Sequence, residues 1–284
     1  MLLYCVKTEI GISTKCGCGD TLEETLQNIK QAGFSHVMLD VTKSSDLEES
    51  IIITKKAGLN IPYVHLGSRQ ACELYEKSPH ENDFVKDKIR EIEICKLHGI
   101  YTVVLHPAHT DVPISHAPQK PNLCAIENMN KILAAAKLNG IKVALENTET
   151  AYCDHLLYLL DNIDSPYLGL CFDSGHHHLF RCKIDLIEKY RDRIFAVHFH
   201  DNMQDWPVHS WTQDLHLLPF DGTIDFDKIA KGIAKSSYTG ITMLESYRLT
   251  HGEPKPYKNM TPLDFLNKAH HHGKRLADLI NRYK

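Results

Sequence analysis

Short apolar, β-rich runs alternate with longer amphipathic stretches along the whole chain. The runs predicted as strands are Leu2–Val6, His36–Asp40, Pro62–Leu66, Thr102–His106, Lys142–Glu146, Leu168–Asp173, Phe195–His200 and Ile241–Glu245. Between them apolar residues recur at helical spacing. Leu22, Leu26 and Ile29 fall at i, i+4 and i+7, and Ile89 and Ile92 form the apolar side of a charged stretch carrying Phe84, Lys88 and Glu91. Thr21, with Glu24 three residues on, has the spacing of a capping box, in which the hydroxyl and the carboxylate satisfy free N–H groups of the first turn. The predicted helices end in Ala32-Gly33, Ala57-Gly58, His98-Gly99 and Asn139-Gly140, and each glycine directly precedes the next strand. Strands alternating with helices predict parallel βαβ units. Eight of them predict a closed (β/α)8 barrel, a single α/β domain over residues 1–284. A doubly wound open sheet would want a glycine-rich phosphate turn after its first strand. Gly17-Cys18-Gly19-Asp20 is not one, and no GxxxxGK[ST] occurs. The helical unit at 181–193 is short.

Such a barrel builds its site from the C-terminal ends of its strands. The third strand ends on His65, the fourth on His106, the fifth on Glu146 and the sixth on Asp173, with His176 three residues later. The seventh ends on His198, His200 and Asp201, and the eighth on Glu245. Six successive strands thus finish an apolar run with a metal-competent side chain, and closure brings those ends to one rim. Glu146, Asp173, His200 and Glu245 form a mixed O/N set, suited to Zn²⁺, Mn²⁺, Co²⁺ or Mg²⁺ rather than to a thiolate-seeking metal. His198, on the same face as His200 and two residues deeper, reads as a supporting or core-layer residue.

Composition narrows the class without naming it. The hydrophobic content of 43% and net charge of −4 exclude a disordered chain and lend no support to a strongly basic nucleic-acid binder. Lys7 and Glu9 interrupt the N-terminal apolar run too early for a signal peptide or a membrane span, and no later run is long enough for a span. The nine cysteines contain no CxxC pair, which reads as reduced thiols in a cytoplasmic protein. The 19 histidines are the one unusual count. Most, including His270, His271 and His272 in the last helical segment, have no placement that separates them from surface or packing residues.

With these residues in order, the chain resembles the xylose isomerase-like TIM barrels, the superfamily shared by sugar and sugar-phosphate isomerases and epimerases and by endonuclease IV. The matching pieces are HLG at 65, LHP at 106, LEN at 146, FDSGH at 172–176, HFHDN at 198–202, DLHLLPFDGTIDF at 214–226 and LES at 244–246. The resemblance implies one divalent metal, zinc or manganese, on Glu146, Asp173, His200 and Glu245, with His176 facing a sugar, sugar phosphate or related polyol. It implies isomerisation or epimerisation, with Glu146 and Glu245 moving a proton at carbon through a metal-stabilised enediolate. By the same resemblance, His65, His106, His176, Asp214 and His216 match further zinc ligands of endonuclease IV. That supports an alternative: a zinc phosphodiesterase with up to three zinc ions acting on abasic DNA. The stretches TEIGISTKCGCG and DVTKSSDLEES lack that enzyme's early motif and DNA-contacting loop. A non-catalytic barrel is the third reading. Relatives of this kind are often homo-oligomers.

Other candidate substrate contacts come from residue type alone. His65, His106 and Arg248 stand at or beside strand ends, and Arg69 follows the third strand; either arginine could grip a phosphate or carboxylate. The loop at 201–224 holds Trp206 and Trp211 with His209, and reads as an aromatic wall or lid. The sugar, its phosphorylation and the choice of metal are left open by these residues.

Overall fold

The computed structural model describes residues 9–67, 71–77, 83–108, 120–148, 150–179, 183–203, 213–249 and 256–284. Eight parallel strands lie in the order β7-β6-β5-β4-β3-β2-β1-β8. They are β1 (Ile10–Ser13), β2 (His36–Asp40), β3 (Val64–His65), β4 (Thr102–Leu105), β5 (Lys142–Glu146), β6 (Leu168–Asp173), β7 (Ile194–His198) and β8 (Thr242–Leu244). A parallel bridge between Phe199 and Leu244 brings β7 to β8. It is made by Phe199 N–H donating to the Met243 carbonyl at 2.9 Å and Glu245 N–H donating to the Phe199 carbonyl at 3.1 Å. The result is the (β/α)8 barrel that the alternation predicts.

The helices between strands are α1 (Leu22–Gln31), α2 (Leu47–Lys56), α3 (Asp83–Leu97), α4 (Leu123–Asn139), α5 (Thr150–Asn162), α6 (Ser174–Leu179), α7 (Leu186–Lys189), α8 (Phe226–Lys235) and α9 (Pro262–Tyr283). Helix α1 shows how the pattern produces the element. Thr21 Oγ1 accepts the Glu24 N–H at 3.2 Å, and Glu24 reaches back to the Asp20 N–H at 2.9 Å. Leu26 and Ile29 are fully buried; each such side chain contributes about 2 kcal/mol of transfer free energy. At the end of α4, Gly140 takes φ 67°, a left-handed conformation that closes the helix and costs a side-chain-bearing residue about 1 kcal/mol. Gly33, Gly58 and Gly99 repeat the device.

Several boundaries differ from the sequence reading: β3 is only Val64–His65, β4 stops at Leu105, β7 starts at Ile194 and β8 is Thr242–Leu244, and two further differences bear on the site. The expected first strand, Leu2–Val6, lies outside the described residues, and the strand that pairs with β2 and β8 is Ile10–Ser13. Gly11 and Ser13 hide it from a search for apolar runs. A Cβ at Gly11 would stand 2.6 Å from Met243 Cε and 3.1 Å from the His36 carbonyl, so a larger residue would have to displace the Met243 side chain. The seventh strand ends at His198 rather than His200. No described helix is long and apolar enough to cross a membrane.

Candidate metal centre at the C-terminal mouth

The strand ends carry buried polar side chains where the rest of each strand carries apolar ones. His65, Glu146, Asp173, His176, His198, His200, Asp214, His216 and Glu245 are all buried, and His106 is half-buried. They gather into groups whose ligand atoms lie within 4.8 Å of one another: Glu146 with Asp173, His198 and Glu245; His65 with His106 and Glu146; and His176 with His200, Asp214 and His216. One sequence assignment is corrected here. His200 does not join Glu146, Asp173 and Glu245; His198 does. Because β7 stops two residues early, it is His198 Nδ1 that reaches Glu245 Oε2 at 3.0 Å, Glu146 Oε1 at 3.3 Å and Asp173 Oδ2 at 3.8 Å. His200 instead stacks on His216 with ring centres 3.9 Å apart, its Nε2 3.0 Å from Asp173 Oδ1.

The donor set fits a cation. Asp173 Oδ2, Glu245 Oε2 and both ring nitrogens of His198 and His200 are buried without a hydrogen-bond partner among the described residues. They are near one another but not aligned to hydrogen-bond. Buried polar atoms are normally satisfied, so a cluster of unpartnered carboxylate oxygens and ring nitrogens points to an ion or a substrate group. The tautomers say the same. His65 Nδ1–H donates to the Leu66 carbonyl at 3.2 Å, which turns Nε2 into the cluster, 3.0 Å from Glu146 Oε2 and 3.1 Å from His106 Nε2. His176 Nδ1–H donates to the Asn147 carbonyl at 3.1 Å and His216 Nδ1–H to the Glu245 carbonyl at 2.6 Å. Their Nε2 atoms then both face Asp214 Oδ2, at 3.0 and 2.9 Å. A ring anchored through one nitrogen to a carbonyl, with the other turned into a shared group of donor atoms, is the usual posture of a metal-binding histidine. His216 holds it at φ 45°, a left-handed backbone rare for a non-glycine residue.

Electrostatics describe the same need for positive charge. For Glu146, burial alone would raise the pKa, but His198 and His106 hold it well below the usual carboxylate range. For His198, burial opposes the charge, yet Cys171, Glu245 and Glu146 raise the pKa well above the ordinary histidine value. His176 is raised in the same way by Asp173 and Asp214 against its burial. A site that holds protons this firmly would exchange them for a divalent ion.

The supporting residues are as specific as the ligands. Asn147 and Asp173 exchange two hydrogen bonds. The Asp173 N–H donates to Asn147 Oδ1 at 2.8 Å, and Asn147 Nδ2 donates to the Asp173 carbonyl at 2.9 Å. Asp201, read from the sequence as a metal-competent strand end, is spent elsewhere. It accepts the N–H groups of Asn202, Phe220, Gly222 and Ile224 at 2.9–3.1 Å and so anchors the loop that carries Asp214 and His216. Gly175 must lack a side chain, because a Cβ there would lie 1.9 Å from His200 Cε1. Arg248 donates through Nε to the Gly17 carbonyl at 2.8 Å and through Nη1 to the Met260 carbonyl at 3.2 Å, so it ties loops together. Arg69, Trp206, His209 and Trp211 lie outside the described residues.

The chain matches the family described as xylose isomerase-like TIM barrel over residues 26–268. It belongs to that family. Among its relatives, the uncharacterized protein y4fM of Sinorhizobium fredii is 26% identical, over 91% of this chain and 89% of that protein. An inosose isomerase of Bacillus subtilis is 21% identical, over 71% of this xylose isomerase-like chain and 70% of that enzyme. Two solved structures share the fold. A D-tagatose 3-epimerase-like protein superposes with a TM-score of 0.68 at 18% identity, covering 97% of this chain and 99% of that one. The IOLI protein, solved with a bound zinc atom, gives a TM-score of 0.65 at 17% identity, covering 98% and 99%.

Within the xylose isomerase-like barrel, sequence reasoning missed two rim residues. Asp40 ends β2 as Glu146 ends β5, and Lys15 follows β1; their side chains pair at 2.8 Å. The signal was present, since HVMLD closes on an acid just as KVALE does.

Proposed function

We propose that this chain is a divalent-metal-dependent isomerase or epimerase of a sugar or related polyol, with zinc or manganese as the metal. The observation that carries the proposal is the convergence of Glu146, Asp173, His198 and Glu245 at the mouth, all buried, with Asp173 Oδ2, Glu245 Oε2 and both His198 ring nitrogens lacking a hydrogen-bond partner among the described residues. The inosose isomerase and the D-tagatose 3-epimerase-like protein among its relatives support the substrate class. A divalent ion on these residues would supply the positive charge that polarises a ketone and makes the adjacent C–H acidic.

The remaining work falls to the chain. Glu146 and Glu245 come from opposite parts of the barrel, β5 and the end of β8. Carboxylates on two sides of one carbon can remove a proton from one face and return it to the other, which is epimerisation; return to the adjacent carbon is aldose–ketose isomerisation. Glu245 Oε1 accepts the Tyr247 hydroxyl at 3.2 Å, and that contact fixes which carboxylate oxygen faces inward. Burial, with Glu245 and Asp40 nearby, raises the Tyr247 pKa well above the ordinary tyrosine value, so the phenol stays a donor.

The test is deuterium wash-in. The metal-loaded protein, given inosose and free ketohexoses in D₂O, should introduce deuterium at the carbon next to the carbonyl. Glu146→Gln and Glu245→Gln should each lower exchange by about 10²–10⁴-fold while the fold survives. Near-normal exchange in Glu146→Gln would sink the mechanism.

A second reading draws on the two further groups, His65–His106–Glu146 and His176–His200–Asp214–His216. With zinc in all three groups, the mouth would suit a phosphodiesterase acting on abasic DNA. Cleavage of an abasic duplex with three bound zinc ions would favour it; one metal and no cleavage favours the isomerase.

A further inference from the structure

The Lys15–Asp40 pair is the part of the rim that the proposed chemistry leaves unused. Register fixes its place. Asp40 pairs with His65 across β2 and β3, and β1 runs beside β8, with Ile12 opposite Leu244. Lys15 therefore stands between the strand that ends in Asp40 and the strand that ends in Glu245. The loop is laced at the backbone. The Lys15 N–H donates to Ser13 Oγ at 3.1 Å, the Asp40 N–H donates to Thr14 Oγ1 at 3.1 Å, and the Arg248 N–H donates to the Cys16 carbonyl at 2.9 Å. The Lys15 ammonium sits 2.8 Å from Asp40 Oδ1; the Asp40 side chain is 3% exposed and that of Lys15 50%. The carboxylate is thus buried against the ammonium through Oδ1, while the lysine side chain stays half-exposed at the rim. Burial opposes its charge, but Asp40, with Glu245 and Glu146 within electrostatic reach, raises its pKa above the ordinary lysine value.

We propose that Lys15, held by Asp40, is a substrate-positioning residue that grips a hydroxyl of an uncharged polyol at the β1–β2 side of the mouth. An ammonium has three N–H donors. With one directed at Asp40, two remain for substrate oxygens. The pair is neutral as a unit and lies within electrostatic reach of Glu245 and Glu146. That favours a neutral hydroxyl over a phosphate dianion, which would meet a rim whose nearest cation is already compensated. The proposal rests on the isomerase or epimerase reading and narrows its substrate to the unphosphorylated class.

The experiment pairs binding with turnover. Titration calorimetry measures myo-inositol and myo-inositol monophosphate binding to metal-loaded wild type, Lys15→Met and Lys15→Arg. Steady-state kinetics with inosose separates KM from kcat, and metal content and thermal unfolding are followed for each variant. Lys15→Met should weaken myo-inositol binding and raise KM by about tenfold or more, the usual effect of losing a charged hydrogen bond. It should leave kcat within about threefold and the metal content unchanged, and Lys15→Arg should recover part of the affinity. Unchanged affinity and KM in Lys15→Met would overturn the proposal, as would tenfold tighter binding of the monophosphate by wild type. If wild type fails to turn over inosose but Lys15→Met loses myo-inositol, the isomerase reading falls and the grip stands. If turnover is intact and Lys15→Met is indifferent, the grip falls alone. Absence of both binding and turnover in wild type overturns both.

Discussion

Asn147→Leu is the sharpest structural test of how the site is held. Asn147 is buried beside Glu146, and its amide serves both backbone groups of Asp173. Leucine has nearly the same volume and neither polar atom. The Asp173 N–H and carbonyl would then be buried with no partner, and each orphaned group costs about 1–3 kcal/mol. Because the volume is kept, little is added for a cavity, so the expected loss is about 4 kcal/mol. A second effect is local. The Asn147 carbonyl anchors His176, and Asp173 Oδ1 accepts the His176 N–H at 2.7 Å, so a shift at 147 moves two candidate ligands together. Metal affinity should fall by about 10–100-fold, as when the groups that orient metal ligands are removed. Urea unfolding of the apo-protein reads the first effect as a lower midpoint at unchanged slope, and competition with a chromophoric chelator reads the second. Asn147→Asp keeps the acceptor for the Asp173 N–H but sets a second oxygen against the Asp173 carbonyl, so it should not rescue. A loss below about 0.5 kcal/mol for Asn147→Leu would refute the reasoning, since it would mean that the pair carries no net stability.

Three further outcomes follow from the same geometry. Gly175→Ala places a methyl in the His200 ring, so apo-protein stability should fall by about 1–3 kcal/mol or more in denaturant melts; a neutral result would place His200 elsewhere. Metal binding should release protons, because the carboxylates raise the pKa of His198 and His176 above the ordinary histidine value and hold protons there in the apo-protein. Calorimetry in buffers of different ionisation enthalpy counts them, and affinity should drop as pH falls; a buffer-independent heat would contradict this. Burial pushes the Cys95 and Cys171 thiols up to about 12. A raised thiol pKa favours the folded state while the thiol stays neutral. That contribution is complete below the unfolded value of 9.0 and is lost as pH climbs towards about 12. Both cysteines should resist a thiol reagent at pH 8 in the native protein and react on unfolding; native labelling of either would disprove their burial.

The barrel was legible because its signal is repeated. Each βα unit carries a strand run and an amphipathic stretch, four of the helices end in a glycine stop, and a missed boundary in one unit is corrected by its neighbours. The first strand escaped because Gly11 and Ser13 alternate with Ile10 and Ile12 in a strand of four residues, and small residues leave no apolar run to read. The ligand set was legible as a class for a related reason. An acid or imidazole at the end of a buried run has no cheap structural explanation, and six such ends share one rim.

What one sequence could not resolve was His198 against His200. The two lie on one face of a period-two strand, so alternation assigns them the same direction. Only the point where β7 stops decides which of them reaches Glu146, Asp173 and Glu245. That point is set by contacts remote in sequence: the Phe199 bridge to Leu244, and the N–H groups of Phe220, Gly222 and Ile224 that Asp201 gathers. The loop that Asp201 fixes also delivers Asp214 and His216, so a carboxylate that read only as a metal-competent strand end helps determine which group each neighbouring histidine joins. The prediction this yields is specific. His198→Ala should empty the Glu146–Asp173–Glu245 group of its only nitrogen donor. His200→Ala should leave that group's four donors in place and weaken the His176–Asp214–His216 group instead. Cobalt substitution reads the two sites separately through ligand-field bands, and a loss of the first group's bands in His200→Ala would restore the assignment that the sequence alone suggested.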